Sequence, residues 1–239
     1  EKEWLYSAVN IFNRNQNIAA VTGPNLSPLI ETTSEKYVGI ALQSNFCVLN
    51  AHFIKRKACE RFVKRMPSVN FFILRKIYLI IDGMNENLKG SEDFEFCDRL
   101  ADNKYRIYYS PKVVVFHKNR NLKQFLFQRL AYGAFSTQRI KDQISFIMIV
   151  FFIPSAFVLF LFTFIFTFYS SIWFWFYFLT LTLYFLVILI ESIRHSNNIR
   201  DIPGGYLALI IATLTPGFGT IGQALRLLPE IKKFYRNYK

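Results

Sequence analysis

The chain has 239 residues, of which 52% are hydrophobic and 18% are aromatic, with 27 phenylalanines. This apolar content exceeds that of an ordinary soluble domain and argues against a simple cytosolic globule. The 29 Lys and Arg residues outnumber the 16 Asp and Glu residues, so the net charge is +13. Because the basic residues cluster beside a long apolar tract, they indicate a membrane and phosphate groups as partners, and no nucleic acid.

Apolar spacing in the first 117 residues predicts alternating helices and strands. Trp4, Ala8 and Ile11 recur at helical spacing, and Ile18–Val21 follows as a short apolar run typical of a buried strand. Further strands are predicted at residues 69–74, 105–109 and 112–116, and a further helix at 91–102. Strands that alternate with helices favour an α/β layer architecture.

The densest group of polar residues begins the helix predicted at 91–102. Ser91 is a plausible N-cap, which places Glu92 and Asp93 in the first turn. Free backbone N–H groups and the helix dipole favour an ionised carboxylate there. Such a carboxylate could act as a general base toward a hydroxyl group. Stabilisation of the helix dipole is the simpler alternative, and the residues by themselves favour it.

Two further polar residues lie at the ends of predicted strands. His117 closes the strand at 112–116, where an imidazole could bind a metal or a phosphate, although a surface histidine is the simpler interpretation. Asn70 precedes an apolar run and could direct its amide at a sugar hydroxyl. An asparagine at a strand edge is also a common turn residue.

The second half of the chain predicts membrane helices. The 48 residues from Gln143 to Ile190 include no Asp, Glu, Lys or Arg. As one helix they would extend about 72 Å, against a bilayer core of about 30 Å, so two crossings fit. We predict a transmembrane hairpin within 143–190, with spans near 144–168 and 172–190. In the preceding region, 118–142, the segment Lys118–Lys141 contains six basic residues and no acidic residue. This region predicts an amphipathic interfacial helix.

A third apolar stretch, Gly204–Leu225, is interrupted by several glycines and by Pro216. If this stretch does not cross the membrane, every basic cluster beside the apolar segments lies on one side, as the positive-inside rule favours. We therefore expect residues 191–239 to form a broken interfacial or re-entrant segment followed by a basic tail. The part of the chain before the hairpin is then expected in the cytoplasm.

Residues 1–141 resemble the C-terminal half of a family-two glycosyltransferase, an inverting enzyme of the GT-A fold that uses a nucleotide-sugar donor. The matching segments are, in chain order, Val21–Pro24, Asn70–Arg75, Asp82–Glu86, Gly90–Leu100 and Tyr105–His117. The segment Asp82–Glu86 keeps one glycine and the final glutamate of the family's usual Gly-Gly-Phe-Asp-Glu. Membrane-anchored members of the family carry a similar apolar tail.

The resemblance implies roles for individual residues. Asp93 falls on the acidic motif whose aspartate is the catalytic base, with Glu92 beside it, and Ser91 and Asn70 are expected to bind substrate. His117 falls on a histidine that in some members helps to bind the metal and the diphosphate, so Mg²⁺ or Mn²⁺ is the implied cofactor. The implied partners are a nucleotide-sugar donor and a lipid-linked or glycan acceptor in polysaccharide biosynthesis.

The family's Asp-x-Asp metal motif and nucleotide-binding strands should precede Glu1, and this chain contains no Asp-x-Asp. The expected architecture is therefore a partial GT-A-like domain over 1–117, followed by the interfacial helix, the hairpin and the broken segment. We expect the chain alone to be an incomplete, inactive part of the enzyme. The alternative function is a non-catalytic membrane interaction module.

Overall fold

The computed structural model describes residues 3–14, 17–44, 59–88, 92–139 and 146–225. These residues belong to two units. The first unit comprises Glu1–Glu31 and Asn50–Lys118, and the second comprises Thr32–Leu49 and Asn119–Lys239. Helices and a mixed sheet make up the first unit, which confirms the expected mixture of helix and sheet.

The elements are numbered in chain order within the described ranges. The strands are β1 (Ile18–Thr22), β2 (Asn25–Leu26), β3 (Arg61–Val63), β4 (Phe71–Ile73), β5 (Arg106–Tyr109) and β6 (Val115–Phe116). The helices are α1 (Trp4–Arg14), α2 (Thr33–Gln43), α3 (Arg75–Ile80), α4 (Glu92–Asp102), α5 (Leu122–Arg139), α6 (Phe146–Phe162), α7 (Ser171–His195) and α8 (Ile202–Ala224).

A four-stranded sheet with the order β3-β5-β1-β4 lies at the centre of the first unit. β1 is parallel to β5 and antiparallel to β4, and β3 is antiparallel to β5. A separate parallel pair joins β2 to β6. The strands predicted at 18–21, 69–74 and 105–109 are present with small shifts at their ends. The strand predicted at 112–116 contains only Val115–Phe116, because a turn in which Val113 N–H donates to Ser110 O occupies its first half.

Helices α1 and α4 pack against β1 in two separate buried clusters. The α1 cluster contains Ala8, Ile11, Ile18, Val21 and Val113. The α4 cluster contains Ala19, Ala20, Ile81, Phe96, Cys97, Leu100 and Ile107. The register of β1 against β5 shifts between Ile18 and Ala20. This irregularity lets the consecutive residues Ala19 and Ala20 both belong to the α4 cluster. The helix predicted at 91–102 is thus confirmed as α4, with a buried apolar side.

The second unit contains the apolar helices of the chain. α6 continues into a 3-10 segment, Thr163–Phe168, and the Ser170 hydroxyl caps the start of α7. The predicted hairpin therefore corresponds to α6 with its 3-10 extension and to α7. Among the described residues, two helical segments are long and apolar enough to cross a membrane, namely Ser171–His195 and Ile199–Ala224. The segment Ile199–Ala224 is the more buried of the two: 39% of its most apolar stretch is buried, against 11% for Ser171–His195.

Helix α8 corrects the expectation of a broken segment, since the structure shows one continuous helix over Ile202–Ala224. Pro203 lies in the first turn, where a helix does not need the missing N–H group. Three glycines instead permit close approach to other elements. A Cβ atom would overlap the Tyr37 ring at Gly204, the Pro154 carbonyl at Gly217 and the Leu130 carbonyl at Gly219. Packing against neighbours thus outweighs the weak helix propensity of glycine.

Helix α2 also belongs to the second unit, although it lies between two strands of the first unit in sequence. Thr32 and Glu35 form a capping box at its start. Lys36 of α2 pairs with the Asp201 carboxylate, and the hydroxyl of Ser44, its C-cap residue, donates to Glu191 at the end of α7. These two polar contacts fasten both ends of α2 to the apolar helices.

Helices α5, α6 and α8 touch through their backbones. A Cβ atom at Gly133 of α5 would overlap the Pro216 carbonyl of α8, and the Thr220 hydroxyl donates to Gly133 O over 2.9 Å. Small residues at helix crossings allow this approach and add dispersion contacts. The helix predicted at 118–142 is therefore present as α5, and it packs along α8.

Gly133→Ala and Gly219→Ala should each destabilise the second unit, because the overlapping atoms are backbone carbonyls that cannot rotate away. We expect a loss of about 1–3 kcal/mol for each change, measured by thermal unfolding in detergent micelles. Phe218→Ala is the control, since Phe218 is 46% exposed between two packed glycines. Equal melting temperatures for all three variants would contradict the backbone contact.

Candidate functional site

The residue predicted to be the base, Asp93, lies in the first turn of α4. Its side chain is half-buried, and its Oδ1 accepts a hydrogen bond from Phe94 N–H over 2.9 Å. The Ser68 N–H also donates to this carboxylate. Ser68 opens the short 3-10 turn Ser68–Asn70, so the structure brings Asp93 to the turn that contains Asn70.

Burial raises the pKa of Asp93 above its ordinary value, and the negative charge of Glu92 raises it further. The backbone N–H groups of Phe94 and Ser68 lower it, but by less. The position of Asp93 at the start of a helix, taken alone, predicts a strongly ionised carboxylate. Desolvation and the neighbouring acid outweigh that effect, so Asp93 holds a proton more readily than an exposed aspartate.

The other residue predicted with Asp93, Glu92, is the first residue of α4 and is partly exposed. Its effect on Asp93 is electrostatic. Ser91, predicted to cap the helix and to bind substrate, lies outside the described residues.

The carboxamide of Asn70 is held inside the first unit. Its side chain donates to Val113 O over 2.8 Å and to Pro24 O over 3.4 Å, and its Oδ1 accepts from Trp4 Nε1 over 2.9 Å. The Thr22 hydroxyl donates to its main-chain oxygen over 2.7 Å. With 1% of its surface exposed, Asn70 links the segments around it, and its role in substrate binding stays a prediction.

His117 follows β6 and is exposed. The backbone N–H of His117 donates to Leu26 O over 2.8 Å, which continues the pairing of β2 with β6. Within the described ranges, no group of three or more His, Cys, Asp or Glu side chains could hold a metal ion. The role of His117 in binding a divalent cation therefore stays a prediction.

The contacts of two arginines, Arg65 and Arg99, hold α4 in place beside the predicted base. Arg65 makes a bidentate pair with Asp98, over 2.5 and 2.8 Å. Arg99 pairs with Glu95 over 2.6 Å and donates to the Gly83 and Ile81 carbonyls. The i, i+4 spacing of Glu95 and Arg99 could have revealed one of these pairs in the sequence, whereas the partner of Asp98 is distant along the chain.

The loop fastened by Arg99 borders a polar cavity of about 560 Å³. This loop, residues 82–88, includes Asp82 and Gly83, both with positive φ. Residues of the loop line the cavity together with Glu95 and Arg99. Asp93 does not line it, because two residues along a helix turn the side chain by about 200°. The cavity and the predicted base therefore lie on different sides of α4.

Comparison with known proteins identifies no relative of this chain. No protein-family model, no curated protein and no solved structure matches it.

Asp93→Asn should stabilise the protein at neutral pH. The folded-state pKa of Asp93 lies above the unfolded value of about 3.9, so the ionised carboxylate destabilises the folded protein. This destabilisation is absent at a pH below the unfolded pKa and grows as the pH rises to the folded-state pKa. We expect a melting temperature at least about 2 °C above wild type near pH 7, and no difference near pH 3.

Glu86→Gln, which removes an exposed carboxylate of the same unit, is the control and should leave the melting temperature unchanged at both pH values. An Asp93→Asn protein that melts below wild type near pH 7 would show that the hydrogen bonds of the carboxylate outweigh its burial.

Proposed function

We propose that this chain is the acceptor-side part of a membrane-attached, inverting glycosyltransferase. It would pass a sugar from a nucleotide-sugar donor to a lipid-linked or polysaccharide acceptor. The observation that carries this proposal is the half-buried Asp93 carboxylate, fixed by two backbone N–H groups at the start of α4 and raised in pKa.

A carboxylate in this environment is suited to general base catalysis. A base accepts a proton more readily when its pKa is raised toward the working pH. In the proposed reaction, Asp93 takes the proton of an acceptor hydroxyl, and the hydroxyl oxygen forms a bond to the anomeric carbon. The bond from that carbon to the nucleoside diphosphate breaks on the opposite side, which inverts the configuration.

The donor nucleotide would be held elsewhere. The described residues contain no suitable metal group, so we place the nucleotide and its cation on a part of the enzyme outside these residues. This division agrees with the resemblance, which covers the segments after the Asp-x-Asp motif. The chain alone is then expected not to transfer sugar.

A membrane location would bring the site close to a lipid-linked acceptor. α7 leaves large apolar side chains exposed, including Ile172 and Trp175, and lipid tolerates such a surface better than water does. The basic residues of α5, which precede the first apolar helix, support a cytoplasmic position for the first unit.

The decisive experiment is sugar transfer by the full-length protein. Asp93→Asn should reduce the turnover number by about 10³-fold or more and leave donor binding unchanged. Asp102→Asn, which changes an exposed aspartate at the other end of α4, is the matched control. Unchanged turnover in the Asp93 variant would refute the assignment.

The alternative, a membrane interaction module, predicts no transfer and loss of binding to its protein partner when residues 204–225 are deleted.

The pH profile of transfer tests the pairing of Glu92 with Asp93. Activity should fall with decreasing pH as Asp93 takes up a proton. Glu92→Gln removes the negative charge that raises the Asp93 pKa, so the acid limb of the profile should move to lower pH. Asp102→Asn, which changes an exposed acid at the other end of α4, should leave the limb in place. A limb that does not move in the Glu92 variant would show that another group controls it.

A further inference from the structure

A second cavity lies along the C-terminal half of α4. Its volume is about 240 Å³, and its lining includes Phe62, Lys64, Ala101, Lys104, Tyr105 and Arg106. Its lining on α4 begins at Cys97, about one helical turn beyond Asp93, and does not include Asp93. The resemblance and the proposed reaction leave its residues without a role.

The cavity concentrates positive charge. Lys64, Lys104 and Arg106 line it, and no carboxylate does. No ion pair joins these three side chains to the acids within the described ranges. Asp98, on the same helix, is already bound by both arms of Arg65. Like charges around one cavity repel each other, and a bound anion would relieve that repulsion.

Local contacts position two of the three cations, Arg106 and Lys104. Arg106 belongs to β5, and its guanidinium lies 3.3 Å above the centre of the Phe62 ring of β3. Lys104 lies two residues beyond the end of α4 with a φ of 61°, and its backbone N–H donates to Ala101 O over 2.9 Å. The next N–H, of Tyr105, donates to Leu100 O over 2.8 Å. These bonds satisfy the helix carbonyls that would otherwise repel an anion.

The size of the cavity limits the ligand. Pockets for drug-sized ligands and cofactors occupy about 300–1,000 Å³, so the 240 Å³ of this open cavity suit a small group. Lysine and arginine are the residues that bind phosphate oxygens most strongly. We propose that this cavity is an anion site for a phosphate group, carried either by free diphosphate or by the headgroup of an anionic lipid.

The first measurement is titration of the full chain, in neutral detergent micelles, with inorganic pyrophosphate by calorimetry. Lys64→Gln, Lys104→Asn and Arg106→Gln should each weaken binding at least about fivefold, because each removes a charge-assisted hydrogen bond. Asparagine at position 104 tolerates the left-handed backbone. Lys76→Gln, an exposed lysine of α3, makes the same charge change and should alter binding less than about twofold.

The second measurement separates the two sources of phosphate. Native mass spectrometry counts the phosphatidylglycerol and phosphatidylcholine molecules retained by the wild type and by each variant. Loss of one phosphatidylglycerol in the cavity variants, with phosphatidylcholine unchanged, assigns the site to a lipid headgroup. Weakened pyrophosphate binding with unchanged lipid retention assigns it to a free anion.

The proposal is overturned if the three cavity variants match Lys76→Gln in both measurements while their circular dichroism spectra equal that of the wild type. Neither measurement involves Asp93. The outcome is therefore independent of the proposed sugar transfer.

Discussion

The burial of one side of α4 is the constraint on which the rest of the first unit depends. Phe96, Cys97 and Leu100 are each at most 1% exposed, in the cluster that contains β1 residues. Burial of a large apolar side chain stabilises a fold by about 1.5–3 kcal/mol. Burial also raises the pKa of Cys97 to about 12, so its thiol stays protonated and serves packing. Because this side of the helix cannot turn, the positions of both helix ends are fixed relative to the sheet.

The two ends of α4 differ in charge as a result. Acids occupy the first turn, including Asp93, whereas Lys104 and Arg106 follow the last turn. The ion pairs of Arg65 and Arg99 on the partly exposed sides add modest stability, since surface pairs contribute about 0–1 kcal/mol. The Arg65–Asp98 pair and the hydrogen bonds from Arg99 to the Ile81 and Gly83 carbonyls also oppose rotation of the helix about its axis, which keeps the Asp93 carboxylate at the turn formed by Ser68–Asn70.

Local patterns in the sequence predicted β1, β4, β5, α4 and the apolar hairpin, because each rests on the spacing of its own residues. Two features of the second unit rest on distant contacts and could not be predicted in this way. α2 is fastened by Asp201 and Glu191, about 150 residues further along the chain. The glycines of α8 indicate a broken segment by propensity, yet Gly204 and Gly219 fit against Tyr37 and the Leu130 carbonyl. Tertiary packing overrides local preference at such positions.

Asn70 shows why a site residue could be located in the sequence while its contacts could not. Its position before a strand was visible, but its amide partners, Trp4, Pro24 and Val113, come from three separate segments. To bind substrate through its amide, Asn70 would have to give up one of these bonds inside the fold, which is costly for a buried polar group. Its bonds also fix the turn whose Ser68 N–H donates to Asp93. The buried amide thus acts on the carboxylate through the backbone, and the direction of Asp93 depends on contacts that no local pattern contains.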